Sequence, residues 1–222
     1  QWARETARDV VGLGQAIAQS CDVYFYELAL KVGAERIAEM AQELGFGNLS
    51  GLEIPGEKRG LIPTPDWKRA TYADRWQKGD TLNTAIGQGY VLATPLQLAV
   101  MTSRLVNGGF AVRPWLVQNR NLKQLPGEIG KYKKIKISEG TLSVIRKSMF
   151  DTVNRAKGTA YKARIKEVRH MMGGKTGTIQ VRQITAAERA AGIVKNEDRP
   201  WEHRDHALFV GYSFSEKPEY AI

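Results

Sequence analysis

The hexapeptide Gly173-Gly174-Lys175-Thr176-Gly177-Thr178 constrains this chain more than any other segment. Glycine weakens a strand, and a common reason to keep it there is the close approach of another group to the backbone. The surrounding residues, Val168 to Val181, read as a strand, and Ala207 to Phe214 read as a second. Regular alternation puts Lys175 and Gly177 on one face and Thr176 and Thr178 on the other. At the edge of a cleft, a strand loosened by glycine presents all of these groups to one ligand. It then offers an ammonium, two hydroxyls and free backbone N–H groups, the parts needed to hold a carboxylate and stabilise an oxyanion. Taken alone, the segment fits equally well a lysine on an ordinary strand beside a glycine bulge. A phosphate-binding loop fits worse, because Gly-x-x-x-x-Gly-Lys-Thr needs glycine where Arg169 stands and a helix after the lysine.

Upstream of this strand the chain reads as helices. Residues 13–31 are expected to be helical with a break at Ser20-Cys21-Asp22, residue types that favour caps and turns. The apolar run Val23 to Leu30 is expected to be buried. Ile37, Ala41 and Leu44 recur at helical spacing before Gly45-Phe46-Gly47. Residues 47–80, rich in Gly, Pro and charge, read as a surface excursion without a core of its own. Thr94, Pro95 and Gln97 form a helix start with a capping box, and the helix runs to Asn107-Gly108-Gly109. Phe110 to Val117 is expected to be a strand and residues 120–137 a polar connection. Within the connection, Lys131 to Lys136 suits an edge strand, where lysines deter edge-to-edge pairing. Leu142, Ile145, Met149 and Val153 mark a further helix after Ser138. The segment from Arg182 to Arg204 is too long for a tight hairpin, and another strand starts at Tyr220. Helices first and strands last predict an α+β fold, with helices packed around an antiparallel sheet.

The bulk numbers narrow the function classes. With 42% hydrophobic and 25% charged residues the chain is globular, and its 222 residues suit one domain. No run of apolar residues is long enough to span a membrane. The net charge of +10 is spread along the sequence, and no nucleic-acid-binding motif surrounds the densest basic run, so it reads as a solvated basic surface. Neither terminus reads as a natural end, and residues 1–222 are expected to be a partial domain of a longer protein.

Two other segments carry chemistry. Ser20 and Asp22, two residues apart at a helix break, suit a proton relay and a polar anchor in one cleft, although such residues more often serve as caps. Cys21 is the sole cysteine, which excludes an intrachain disulfide framework. It reads as a small buried filler, with a zinc thiolate as the sharper alternative, and zinc needs about four ligands. The stretch Glu202 to His206 mixes ligand types but reads as a solvated loop end.

A Ser-x-Asn-like triplet followed much later by Lys-Thr-Gly belongs to the signature set of serine penicillin-recognising enzymes. The sequence resembles the transpeptidase domain of class B penicillin-binding proteins, in particular the elongation (penicillin-binding protein 2) type. Gln19 to Tyr26 resembles the second motif and its helix. Thr64-Pro65-Asp66-Trp67-Lys68, Gly79-Asp80, Ile86-Gly87-Gln88-Gly89-Tyr90, Ala93 to Leu98 and Lys157-Gly158-Thr159-Ala160 resemble further segments of this branch, in order.

The resemblance implies a penicillin-binding/serine β-lactamase-like fold, incomplete at both ends. It also implies acyl transfer from D-Ala-D-Ala stem peptides of peptidoglycan, inhibited by β-lactams. Carried over by position, Ser20 relays a proton to the leaving amine, Asp22 contacts the substrate amide and Lys175 supports the electrostatics around Ser20. Thr176 and Thr178 bind the substrate carboxylate, Gly177 leaves room for it, and the Thr178 N–H forms half of the oxyanion hole. No cofactor is needed for the chemistry. A structural zinc at Cys21, with Asp and His partners from upstream, is implied by some relatives. The implied setting is the periplasmic face of the bacterial inner membrane, anchored by an N-terminal segment, with cell-wall elongation proteins as partners and no nucleic acid.

Two departures stand out. Asp22 occupies a position where many relatives carry Asn. No serine in the sequence is followed three residues later by lysine: Val23 follows Ser20 and Arg146 follows Ser143 at that spacing. The family's Ser-x-x-Lys nucleophile and base are therefore expected upstream. A penicillin-sensing or scaffold module of the same fold and a serine β-lactamase remain as alternatives. The long segments 47–80 and 182–204 speak against the compact lactamase.

Overall fold

The computed structural model describes residues 11–52, 55–116, 132–181, 190, 192, 194–214 and 218–222. Helix α1 (Leu13–Gln19) ends because Ser20 takes a left-handed conformation, with φ 53° and ψ 55°. The Ser20 and Cys21 N–H groups fold back onto the Ile17 and Ala16 carbonyls, and the chain restarts as α2 (Asp22–Val32). The break is where the sequence placed it. Gly33 then separates α2 from α3 (Ala34–Leu44), which ends on Gly45 with φ 108°.

The expected burial of Val23 to Leu30 fails. Ala29 is buried, whereas Val23 and Leu30 are about half exposed, at 53% and 50%. The run is apolar but for Glu27, and a helix turns only one face inward. Residues 25, 29 and 32 share the inner face, and residues 23 and 30 share the outer one.

The expectation for residues 47–80 also needs correction. Thr64 accepts from the Trp67 N–H (3.1 Å) and caps α4 (Pro65–Tyr72), with Pro65 at its first position. On this helix Lys68 is only 4% exposed. Its ammonium sits 2.8 Å from Asp80 and 3.0 Å from Asp74. Asp80 also accepts from the Gln77 N–H (2.7 Å) at the start of α5 (Lys78–Ala85). Around this knot Trp67, Tyr72 and Tyr90 pack ring against ring, with centroids 5.3–5.7 Å apart. The excursion thus has a small buried knot after all, centred on Lys68 and edged by aromatic rings, of which Tyr72 is 55% exposed.

Helix α6 (Pro95–Val106) begins with the predicted capping box, each of Thr94 and Gln97 bonding the other's main chain. Gln97 is fully buried, and its amide also donates to the carbonyls of Asn48 and Arg59, each at 2.8 Å. It thereby ties the excursion to the helical layer. Helix α7 (Glu139–Asn154) starts at Ser138 as predicted. Leu105 and Val106 of α6 meet Leu142 and Met149 of α7 under Val210 and Tyr212 of the sheet, forming the core.

Strand β1 (Met172–Ile179) pairs antiparallel with β2 (His206–Ser213), Lys175 opposite Val210. The N-terminal end predicted for β1 is a 3-10 turn, Val168–His170. On the far side of β2, Tyr212 bridges Ala221, the beginning of the expected further strand. The predicted strand from Phe110 is reduced to one bridge between Phe110 and Lys134. The Val112 N–H folds back to the Phe110 carbonyl (2.8 Å), a tight turn that breaks the extended run. Val117 of the predicted strand and residues 120–131 of the predicted connection lie outside the described residues.

Two glycines set the height of β1. A Cβ at Gly173 would lie 2.5 Å from the Tyr212 ring. One at Gly174 would lie 2.2 Å from the Phe209 ring and 2.6 Å from the Val210 carbonyl oxygen. Tyr212 itself is anchored through a hydrogen bond to the Arg146 carbonyl (2.9 Å), so the sheet rests directly on α7.

Candidate active site

Main-chain groups of successive strand residues point to opposite edges. The Met171 carbonyl bonds toward β2 through Phe214 (2.9 Å), so alternation turns the groups of residues 172, 174, 176 and 178 to the other edge of β1. Side chains meet three of those carbonyls. Asn154 donates to Met172 O (2.9 Å), Lys175 Nζ to Thr176 O (2.8 Å) and Gln88 Nε2 to Thr178 O (2.7 Å). Among the described residues no strand pairs with this edge. The N–H groups of Thr176 and Thr178 therefore face the open side.

Ser20 comes to this edge through its left-handed turn. Lys175 Nζ donates a hydrogen bond to Ser20 Oγ, across 155 residues of sequence. The Lys175 stem leaves the sheet on the opposite face from Thr176, as alternation requires, but it is long enough to curl round to the edge. Burial pushes the Lys175 ammonium below its usual lysine range, and the Asp22 carboxylate acts in the opposite direction. Once it accepts from Lys175, Ser20 has its own O–H free to donate. An ammonium weakened by burial and a hydroxyl hydrogen-bonded to it form a path for a proton.

The other predicted residues fall around this pair. Thr176 Oγ1 lies 2.7 Å from Thr159 Oγ1. Gly177 and Thr178 are exposed at the end of β1. Among the described residues a Cβ at Gly177 would meet nothing nearer than Leu208 Cβ at 3.7 Å, so their packing does not demand a glycine there. Asp22 is exposed at the start of α2, with no side-chain hydrogen bond or ion pair among the described residues. Cys21 is half-buried, and no three metal-binding side chains gather anywhere among the described residues. They do not supply the ligand set of a zinc site at Cys21.

Two contacts of the site were not predicted as such. Thr159 and Gln88 lie in segments that already marked the resemblance, but nothing local shows that one reaches Thr176 and the other Thr178. A cavity of about 580 Å³ between α1 and α7, lined in part by Gln15, Lys147, Asp151 and Arg155, contains none of the predicted site residues. Ser20, Lys175 and residues 176–178 lie instead at the open strand edge.

Over residues 1–222 the sequence matches the penicillin binding protein transpeptidase domain. The chain belongs to the penicillin-binding protein transpeptidase family. Within this family it is similar to the peptidoglycan D,D-transpeptidase MrdA of Acinetobacter baumannii, 33% identical over 225 residues that cover 99% of this chain and 32% of the relative. The MrdA of Haemophilus influenzae is likewise 33% identical, over 99% of this chain and 33% of that protein. Penicillin-binding protein 2 of Helicobacter pylori, solved in complex with MreC, superposes with a TM-score of 0.78 at 34% identity, covering 95% of this chain and 35% of that one. The Pseudomonas aeruginosa protein solved with WCK 5153 gives 0.74 at 37% identity, covering 91% and 41%. The chain spans about a third of the length of the curated relatives it matches. Its α+β architecture, with helices packed around a small antiparallel sheet, is that of the transpeptidase family, and its likeness is to the elongation-class, penicillin-binding protein 2 type.

Proposed function

We propose that this chain is part of a peptidoglycan D,D-transpeptidase and forms one wall of its active cleft. The observation that carries the reading is the Lys175–Ser20 hydrogen bond at the open edge of β1. It joins the two signature segments at a strand whose Thr176 and Thr178 N–H groups face outward. In the reaction, a serine oxygen attacks the penultimate D-Ala carbonyl of a stem peptide while its proton passes to the lysine of the Ser-x-x-Lys pair. The tetrahedral oxyanion collapses, the C–N bond breaks and the terminal D-Ala leaves as an amine. Ser20 gives that nitrogen its proton and is replenished from Lys175. An amine of a neighbouring stem then attacks the acyl-enzyme ester and loses its proton to Ser20 and Lys175 along the reverse path, while the departing serine takes back the proton held by the Ser-x-x-Lys lysine.

Lys175, Thr176 and Thr178 hold the substrate carboxylate. Gly177 admits it without a side chain in the way, and Asp22 contacts the substrate amide. The Thr178 N–H supplies half of the oxyanion hole. The attacking serine and its lysine are absent from this sequence, and we place them in another part of the parent protein. β-Lactams, which resemble the D-Ala-D-Ala end, acylate the same serine. No helix among the described residues is long and apolar enough to cross a membrane. We assign anchoring at the periplasmic face of the inner membrane to the rest of the parent. Elongation proteins of the kind seen with the Helicobacter pylori relative are the expected partners.

The test is covalent labelling with a fluorescent penicillin. The parent protein is expected to give a stable adduct that resists denaturing electrophoresis, and this chain alone to give none. An adduct on the isolated chain, or none on the parent, contradicts the assignment.

A further inference from the structure

We propose that Gln88 is a positioning residue for the acyl transfer, holding the end of β1 so that the Thr178 N–H stays aimed into the cleft; the inference rests on the transpeptidase reading above. The last residues of β1 are its least supported part. Gly177, Thr178 and Ile179 are exposed, and their partners on β2 include the exposed Ala207 and His206. Gly177 has no side chain to pack, so the backbone there resists twisting less than elsewhere. A residue keeps its N–H and its C=O on the same edge only while it remains extended. Fixing the Thr178 carbonyl on the open edge therefore fixes the direction of the Thr178 N–H.

Gln88 makes that bond, and its own position is built. Its N–H donates to the Asn83 carbonyl (2.9 Å), and the preceding Gly87 N–H donates to the Thr84 carbonyl (3.1 Å) at the end of α5. Gly87 and Gly89 on either side take φ of 74° and 73°, which turns the short loop so that its central side chain faces β1. Next along the chain, Tyr90 packs on Trp67 and Tyr72, which flank the buried Lys68 with its two aspartates. Leu92 pairs with Leu61 in both directions, at 2.7 and 2.9 Å. The ion cluster, the aromatic rings and the Leu61–Leu92 bridge thus form a platform that ends in one amide, 90 residues away in sequence from the carbonyl it holds.

The experiment compares the full-length parent with its Gln88→Met and Gln88→Glu variants by stopped-flow acylation with a fluorescent penicillin. Saturation separates the acylation rate constant from the affinity of the preceding complex. Methionine matches glutamine in length but donates no hydrogen bond. It is expected to lower the acylation rate constant about tenfold, with the affinity changed less than twofold, because a misaimed donor acts in the transition state and not in the first complex. Gln88→Glu is expected to be as slow at neutral pH. Relative to wild type it should recover as the pH falls below about 5, where the carboxyl becomes protonated and regains an O–H to donate. Thermal melts accompany each variant. Wild-type rates in both variants overturn the inference, as does a loss of rate that runs parallel to a loss of melting temperature with no recovery at low pH. Failure of the wild-type parent to acylate at all refutes the transpeptidase reading instead.

Discussion

Replacing Gly174 by alanine tests whether the close approach of β1 to β2 is what demands glycine. The new methyl would lie 2.2 and 2.8 Å from two Phe209 ring carbons and 2.6 Å from the Val210 carbonyl oxygen. Carbon atoms in contact prefer about 3.5–4.0 Å, so the ring has to withdraw by about 1.3 Å. The ring is the end of a side chain, whereas the Val210 carbonyl is fixed in the β1–β2 ladder opposite Lys175. Overpacking of this kind costs about 1–3 kcal/mol, offset by about 0.4–1 kcal/mol from the smaller entropy of the unfolded alanine chain. A net loss of about 1.3 kcal/mol corresponds to about 3–5 °C in melting temperature for a domain of this size. Gly177→Ala is the internal control, since among the described residues its methyl meets only Leu208 Cβ at 3.7 Å. It is expected to keep or slightly raise stability while abolishing penicillin acylation. The assay is thermal and urea unfolding of the parent protein with each substitution, followed by labelling. Equal stability of G174A and wild type, or equal destabilisation by G174A and G177A, refutes the reasoning.

Two further outcomes follow from the charged groups. Because the Lys175 pKa is lowered in the fold, the unfolded chain binds more protons between the folded value and about 10.4, and stability rises with pH through that window and falls as pH drops through the folded value. Lys175→Met is therefore expected to remove that rise and to leave stability at neutral pH equal or higher, with acylation lost; a parallel pH profile in the two proteins counts against it. Around Lys68, melting temperatures are expected to fall in the order Lys68→Met most, Asp80→Asn next and Asp74→Asn least. The Asp80 side chain is 15% exposed and that of Asp74 58%, and exposed ion pairs contribute little. An Asp74 variant as damaged as the Lys68 variant breaks that order.

What the sequence disclosed was local. Caps at Thr94 and Ser138, the break at Ser20 and the glycine stop after Leu44 each depend on a few adjacent residues, and each stands where it was expected. The pairing of Ser20 with Lys175 was legible only through the family pattern, because no periodicity links residues so far apart. The same limit hid Gln88 and Thr159, whose contacts to β1 come from chain reversals. The excursion at residues 47–80 misled because aliphatic periodicity is blind to a core built on Lys68, two aspartates and three aromatic rings. The apolar run Val23 to Leu30 misled in the opposite sense, since hydrophobic composition does not say which face of a helix turns inward.

The way side chains occupy the open edge of β1 has a consequence for how the protein behaves among its neighbours. A bare strand edge recruits other strands, and a recruited strand needs alternating donors and acceptors. Here Asn154, Lys175 and Gln88 already engage the carbonyls of Met172, Thr176 and Thr178. A passing extended chain finds N–H donors but few free acceptors, so its ladder cannot propagate. The edge remains receptive to a ligand rich in oxygen, such as a carboxylate or a developing oxyanion. The same contacts are thus expected to protect a concentrated protein against edge-to-edge aggregation, and their loss to show as turbidity.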